Sequence, residues 1–428
     1  MRKAGLIGLI LAMMLLPWQM AWAGPTARGL LALLPPERAL DDPLTRGEFA
    51  VMLAEAAQIK SDSRTTDLPI DVEAASWYAG SLQALWEQGI ICGYHDRTLR
   101  PEQGITSLEA VILTARAMGL PNEISGPGAD YIVGDIPYGF SQYAFFQRQG
   151  FLPPGDALAL MRPEAAATWL AELFSSEEQA EELLTQSRKA LAGKQALGVR
   201  GDTSIRFYSR PGLPATAELD QLTIKGKVLN EYVIPGQMRQ VLELELEGPR
   251  SLKLEQIVDN GTLYRRVTDS DSDIGRWQKL SLAPDVSQLI KQQQDLGLPA
   301  NIFPNLQCHY LGESTIDGQE SLAISFYARL NKAGSLEELL PPEVPVDGLD
   351  EYLELPGKPV RSISYWGIVY LDRDNYLPLK SDYNLVIAFN NTYLDQPAAM
   401  TAIEIRYITD KYDFDSIEIK PPPLTPVW

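Results

Sequence analysis

Hydrophobic positions along the chain follow two different periods. Between about residues 30 and 191, Phe49, Met52, Leu53 and Ala56 recur at intervals of three and four, as do Leu82, Leu85 and Trp86, then Trp169, Leu170 and Leu173. That spacing lines apolar side chains along one face of a helix. A charged stretch over 176–194 reads as a solvated connecting helix. Beyond about residue 199 the period becomes two. Leu242-Glu243-Leu244-Glu245-Leu246-Glu247 alternates strictly, as a strand with one buried face requires. Asp259-Asn260-Gly261 between two such runs is a hairpin signal. Further strand-like runs occupy 322–327, 362–371, 379–389, 402–408 and 416–419. Helical patches near 285–295 and 335–340 interrupt them, and Pro421-Pro422-Pro423 opens an extended tail. The expected architecture is α+β and multidomain: an all-α module over 25–175, a linker helix over 176–198, a mainly antiparallel sheet over 199–420 and a tail over 421–428.

Composition narrows the chemistry. A chain of 428 residues exceeds what one core usually organises. With 45% hydrophobic and 22% charged residues it is neither disordered nor wholly membrane-embedded. The 37 Lys+Arg against 56 Asp+Glu leave a net charge of −19, which opposes broad, sequence-independent binding to nucleic acid or anionic lipid. Two histidines, His95 and His309, and two cysteines, Cys92 and Cys308, remove most zinc sites, Cys/His nucleophile pairs and disulfide frameworks. The cysteines fall in different expected domains, so two unpaired, buried thiols are expected. No phosphate-cradling glycine loop, dinucleotide fingerprint, G-x-S-x-G or H-E-x-x-H occurs, and no cofactor or metal is expected.

The N-terminus sets the compartment. Arg2 and Lys3 precede an apolar run over 6–16, and Ala21-Trp22-Ala23 supplies the small residues of an export-signal exit. The run is shorter than the ~20 residues a membrane span needs. Cleavage after Ala23 removes two basic residues, giving 35 − 56 = −21. The expected mature protein is secreted to the cell wall or surface and has no transmembrane segment.

Three helix openings repeat in the first half: Thr45-Arg46-Gly47-Glu48, Thr106-Ser107-Leu108-Glu109 and Met161-Arg162-Pro163-Glu164. In the first two, Thr followed three residues later by Glu is a capping box. The spacings, 106 − 45 = 61 and 161 − 106 = 55, point to repeated units. Ahead of the second opening run Ile70-Asp71-Val72, Trp77, Gly89-Ile90-Ile91-Cys92-Gly93-Tyr94-His95-Asp96, Leu99-Arg100-Pro101 and Ile105. Over about 70–118 this resembles the S-layer homology repeat. A weaker copy runs through Gly134-Asp135-Ile136 and Phe145 to Leu152, and the first copy is truncated. The resemblance implies a three-repeat module binding secondary cell-wall polysaccharide, often pyruvylated. By that resemblance Arg46 and Arg162 contact the polymer, while Gly93 and Tyr94 shape the loop between. A helix start with free N–H groups, beside an arginine fork, suits a carboxylate. Three positions depart from the pattern: Ser107 replaces an arginine, Arg97 a loop glycine and Met161 a capping threonine.

The second half offers successive strand runs, Arg276-Trp277-Gln278-Lys279, Tyr310-Leu311-Gly312-Glu313 and Tyr370-Leu371-Asp372-Arg373-Asp374-Asn375-Tyr376-Leu377-Pro378-Leu379-Lys380. Their order resembles the LolA/LppX-type lipoprotein carriers, an open antiparallel half-barrel with covering helices. That resemblance implies a lipid or other hydrophobic ligand on one sheet face. Leu242, Leu244, Leu246, Tyr365 and Val369 are the candidate lining, with Trp277, and Trp366 as a further candidate; ordinary core is the competing reading.

Asp269, Asp271 and Asp273 resemble a calcium loop only superficially. The sixth position is Ile274 rather than glycine and the twelfth is Leu280 rather than glutamate, so a solvated hairpin tip is expected. The sequence therefore favours a non-enzymatic surface protein with no catalytic residues. Its rivals are a wall-associated hydrolase using paired acids, and a structural or sensory surface protein with a dry sheet interior.

Overall fold

A computed structural model describes residues 24–61, 69–94, 96, 98–120, 139–209, 223–233, 236–245, 251–259, 262–269, 275–281, 306–331, 360–389, 400–414 and 416–422. The export-signal segment, the helical patches at 285–295 and 335–340, Leu246, Asp271 and Asp273 lie outside these residues. The chain divides between Glu177 and Glu178 into two compact units.

The first unit contains helices α1 (Ala27–Leu31), α2 (Arg46–Ala56), α3 (Ala79–Glu87), α4 (Ser107–Ala117), α5 (Phe140–Arg148) and α6 (Pro163–Leu173). Both sequence-predicted capping boxes form. Thr45 and Thr106 accept the backbone N–H groups of Glu48 and Glu109, and those carboxylates accept the N–H groups of Thr45 and Thr106. Phe49, Met52, Leu53, Leu82, Leu85 and Phe146 fill the core behind the helices.

The residues just before the three openings close a ring of backbone hydrogen bonds. Ile105 N–H donates to the Leu44 carbonyl at 2.9 Å, Met161 N–H to Ile105 at 2.9 Å, and Leu44 N–H to Met161 at 2.7 Å. All three side chains are buried, at 0%, 0% and 3% exposure. The spacings between ring members, 105 − 44 = 61 and 161 − 105 = 56, restate the repeat with one residue more in the second interval. Two antiparallel bridges flank the ring, Thr45 with Gly104 and Thr106 with Leu160.

The ring corrects the sequence alignment of the third opening. Leu44, Ile105 and Met161 are equivalent, which sets Arg162 opposite Thr45 and Thr106. Arg162 is the N-cap of α6, and Pro163 occupies the position of Arg46. Met161, read as a substituted capping threonine, is a ring residue instead. Proline fits the first helical turn because its missing donor is unneeded there.

The second unit opens with α7 (Glu178–Ala192) and continues through one sheet of eleven antiparallel strands. The first six are β1 (Ala196–Ser209), β2 (Thr223–Val233), β3 (Gln237–Glu245), β4 (Ser251–Asp259), β5 (Thr262–Asp269) and β6 (Gln278–Ser281). The others are β7 (Gln307–Ile316), β8 (Gln319–Asn331), β9 (Val360–Asp372), β10 (Pro378–Phe389) and β11 (Met400–Phe414). Spatially the order is β6-β5-β4-β3-β2-β1-β11-β10-β9-β8-β7. Two meanders meet at a β1–β11 seam and β6 and β7 end the sheet, which is open. Asp259 pairs with Thr262, the register expected of a hairpin; Asn260 and Gly261 themselves lie outside the described residues. The run at 416–419 is irregular rather than a strand.

The predicted solvated linker helix is corrected by its packing. Ala180, Leu184, Ser187 and Leu191 of α7 are buried, and Ala180 and Leu184 belong to the sheet's hydrophobic core. Charges occupy the other face of α7, so composition alone resembled a connector.

Both cysteines are free. Cys308 is buried in the sheet core, and burial pushes its thiol pKa up to about 12. Cys92 is exposed, against the expectation of two buried thiols. One thiol per chain should therefore react rapidly with an aromatic disulfide reagent at pH 8, and the second only after unfolding, because the thiolate is the reactive species. Two equal native rates would contradict this placement.

Candidate functional site

The helix openings differ from an array of free anion sites. Arg46 and Gly47 donate their backbone N–H groups to the carbonyls of Gln103 and Pro101 at 2.9 and 2.8 Å. Ser107 and Leu108 donate likewise to Ala159 and Ala157 at 2.9 and 2.7 Å. With Glu48 and Glu109 N–H held by the capping threonines, the first three donors of α2 and α4 are used internally. The start of α6 has no side-chain cap, and Arg162 beside it is exposed.

The arginine singled out at the first opening is also engaged. Arg46 donates through Nη1 to Glu109 at 2.7 Å and through Nε to the Leu99 carbonyl at 3.0 Å, with its side chain 11% exposed. It ties the first opening to the cap of the second. Its guanidinium lies 5.3 Å from the Tyr94 ring centroid, and that of Arg100 lies 3.9 Å from it. Arg100, which sequence reasoning did not select, has a 46% exposed side chain and pairs with exposed Asp96 at 3.1 Å.

The motif residues around Tyr94 build this loop. Tyr94 N–H donates to Thr98 at 2.8 Å, closing the turn. Gly93 has φ +68°, and a Cβ there would stand 3.0 Å from the Thr98 carbonyl, so glycine is required. Asp71 accepts the backbone N–H groups of Leu99 and Arg100 at 2.9 and 2.7 Å, which explains the aspartate of the repeat's opening. His95 and Arg97 lie outside the described residues. The structure thus brings Arg46, Gly93 and Tyr94 together with Arg100 and Glu109, and places Arg162 at a separate helix start.

The second candidate site is the apolar face of the sheet. Leu242, Leu244, Tyr365 and Val369 all lie in one hydrophobic cluster that crosses the sheet from β4 to β7 at its end. Phe326, Tyr365, Tyr383 and Tyr407 form an aromatic ladder across β8 to β11, with centroid separations of 5.1, 5.3 and 5.1 Å. Burial pushes these three tyrosine pKa values up, and that of Tyr232 on β2 to about 12. Tyr412 shares a hydrogen bond with Ser381 at 3.2 Å, and Ser381 contacts Thr409 at 2.8 Å.

Two tryptophans fall elsewhere. Trp277 lies under the Arg266 guanidinium at 4.8 Å, and Arg266, alternating with Val267, belongs to the opposite face. Trp366 alternates with Tyr365 and pairs across strands with Asn384. Sequence periodicity assigns relative parity along a strand, but it does not tell which parity meets α7.

That opposite face carries buried polar groups that sequence reasoning missed. Arg406 forms a two-pronged pair with Asp382 at 2.9 and 2.6 Å, and the Tyr208 hydroxyl donates to Glu404 at 2.5 Å. Glu48, Glu109, Glu255 and Asp382 each sit against an arginine. Among the described residues no helix is long and apolar enough to cross a membrane.

Comparisons with known proteins follow the same division. Residues 71–110 match the S-layer homology domain, so the helical unit carries one such domain around the Asp71–Tyr94 loop and the start of α4. Over 93 residues the chain is 27% identical to the Middle cell wall protein of Brevibacillus brevis, covering 21% of this chain and 9% of that protein. Over 89 residues it is 27% identical to the Surface layer protein of Brevibacillus choshinensis, covering 20% and 8%. The matches therefore span under a tenth of either relative. Among solved structures, LprF from Mycobacterium bovis is similar at 16% identity and TM-score 0.28, covering 59% of this chain and 100% of that one. A LolA superfamily protein from Nitrosomonas europaea is similar at 10% identity and TM-score 0.18, covering 56% and 94%. At those scores the likeness adds nothing to what the strand order itself shows.

Proposed function

We propose that the protein is a cell-surface protein whose helical unit holds it to wall polysaccharide and whose open half-barrel sheet carries a hydrophobic ligand. The S-layer homology domain, seated on a closed ring of three helix openings, is the observation that carries the anchoring reading. The ring fixes three helix starts rigidly against one another, as a repeated polymer requires of a multi-point contact. Two exposed cations at the openings are Arg100 over Tyr94 and Arg162 at the uncapped start of α6; Arg46 positions the loop rather than touching polymer. On a chain of net charge −19, an anionic polymer has to be met by such local cations.

The test is retention on purified cell-wall sacculi. The full chain should sediment with intact sacculi, and Arg100→Ala plus Arg162→Ala should reduce retention about tenfold, the loss expected for two charge-assisted contacts. Sacculi stripped of their polysaccharide should retain neither protein. Equal retention on stripped sacculi would overturn the polymer assignment.

The hydrophobic-ligand reading is supported by the extent of the apolar face, from β4 across to β7, on a sheet that does not close. No catalytic step belongs to this reading.

A further inference from the structure

The apolar face contains a polar row that neither the core nor any anchoring role uses. Strand register sets Arg265 of β5 opposite Gln256 of β4, Gln256 opposite Gln240 of β3, and Gln240 opposite Asn230 of β2. Each shares the parity of residues in the hydrophobic cluster: Val267 for Arg265, Leu254 for Gln256, Leu242 for Gln240 and Val228 for Asn230. The row therefore crosses the apolar face, spanning about 14 Å at ordinary strand spacing.

Apolar rows flank it on both sides. Tyr232, Met238, Val258 and Leu263 stand opposite one another two residues away in one direction. Val228, Leu242, Leu254 and Val267 do so in the other. With Gln278 of β6 opposite Arg265, a strip of amides around one guanidinium, bordered by apolar side chains, is an arrangement that a folding core alone does not call for, because each buried polar group costs free energy unless it is paired.

Pairing within the row is incomplete. Gln240 shares a hydrogen bond with the Tyr232 hydroxyl. Asn230 is buried, yet its Oδ1 has no partner, and Arg265 Nε is likewise buried and unpartnered. On β5 the acid of the same parity, Asp269, stands opposite Leu252 four residues along the strand rather than beside Arg265. The nearest acid on the adjoining strand, Glu255, has the opposite parity and is already bound by Arg266. Burial pulls the Arg265 pKa down with no carboxylate offsetting it. A guanidinium stays charged in a protein, and among the described residues none forms an ion pair with Arg265.

We propose that the sheet takes an amphiphile with one anionic head group, a carboxylate or a phosphate, docked on Arg265 and the amide row toward Asn230, with acyl chains over the flanking apolar rows. This inference rests on the hydrophobic-ligand reading above and adds the head-group class. Guanidinium binds either anion through parallel N–H donors, and the amides supply further donors without adding charge.

The full chain, freed of bound lipid in mild detergent, is titrated with three probes: palmitate, dioleoylphosphatidylglycerol and neutral dioleoylglycerol. Binding is read by native mass spectrometry and by displacement of an uncharged fluorescent lipid. One or both anionic probes should bind at least tenfold more tightly than dioleoylglycerol, and which one does so separates carboxylate from phosphate as the head group. Arg265→Gln should remove that tenfold preference and leave dioleoylglycerol affinity within twofold. Arg265→Lys should keep most of the preference and shows whether the loss follows charge rather than folding, with near-ultraviolet circular dichroism checking the native sheet. Equal binding of the anionic probes by the wild type and Arg265→Gln would overturn the head-group inference. Dioleoylglycerol binding as tightly as either anion would also overturn it while leaving a hydrophobic carrier in place. Failure of all three probes to bind would overturn both readings.

Discussion

Replacing Arg46 by Met should destabilise the helical unit by about 3 kcal/mol, the cost of breaking a largely buried ion pair and stranding its partner. Arg46 and Glu109 side chains are only 11% and 14% exposed, and Glu109 also caps α4 by accepting Thr106 N–H at 3.0 Å. Removing the guanidinium leaves a carboxylate desolvated at a helix start and frees the Leu99 carbonyl. Glu109→Gln keeps a capping oxygen but no charge, so Arg46→Met combined with Glu109→Gln should recover at least half the loss. Arg46→Lys should fall between, because an ammonium cannot reach both Glu109 and Leu99 with the fixed fork of arginine. Urea unfolding of the four proteins measures the coupling directly. A loss below about 0.5 kcal/mol, the ordinary scale for surface substitutions, would return Arg46 to the solvated, ligand-facing role that its motif position suggests.

A second large effect is expected at the sheet seam. Gly201 pairs with Thr409 where the β1–β11 register shifts, and a Cβ there would lie 2.1 Å from the Ile408 carbonyl oxygen and 2.9 Å from Thr409 Cα. Both obstacles are backbone, so no side-chain rotation relieves them. Gly201→Val should cost more than about 4 kcal/mol, among the larger single-residue effects, because β1 and β11 join the two meanders. Thr223→Val, at an exposed position on β2, serves as control and should shift stability by less than about 0.5 kcal/mol. Near-ultraviolet circular dichroism and urea midpoints measure both. A Gly201→Val protein within 1 kcal/mol of the wild type would show that the seam tolerates a widened pairing.

Several features were legible in the sequence because they are local. Thr45 with Glu48 and Thr106 with Glu109 are four-residue devices, and both capping boxes form as read. The Asn-Gly signal fixes the β4–β5 register within a few residues. Alternation marks Leu242 and Leu244 as one face of β3, and they share the core. Other readings needed distant partners. The third opening was misaligned by one residue because Met161 and Arg162 look like a variant of Thr45 and Arg46, whereas backbone bonds to Leu44 and Ile105 set the true equivalence. The charged stretch of α7 was misread because Ala180 and Leu184 are few among its acids. Arg265 and the Arg406–Asp382 pair belong to no recognisable local motif, and Arg100, though inside the repeat, gives no local sign of its place over the Tyr94 ring.

The acidic, histidine-poor sequence with its change of period from helical to two determined the two-part organisation, the repeated openings and the resemblance of 70–118. These depend on residues within a turn or a strand of one another. Only the tertiary structure decided which donors and charges remain available. It spends the N–H groups of α2 and α4 and the charge of Arg46 internally, leaves Arg100 and Arg162 exposed, and sets Arg265 in an apolar face without an ion pair among the described residues. The reason is that a charge acts through what surrounds it, and those surroundings come from backbone and side chains tens to hundreds of residues away.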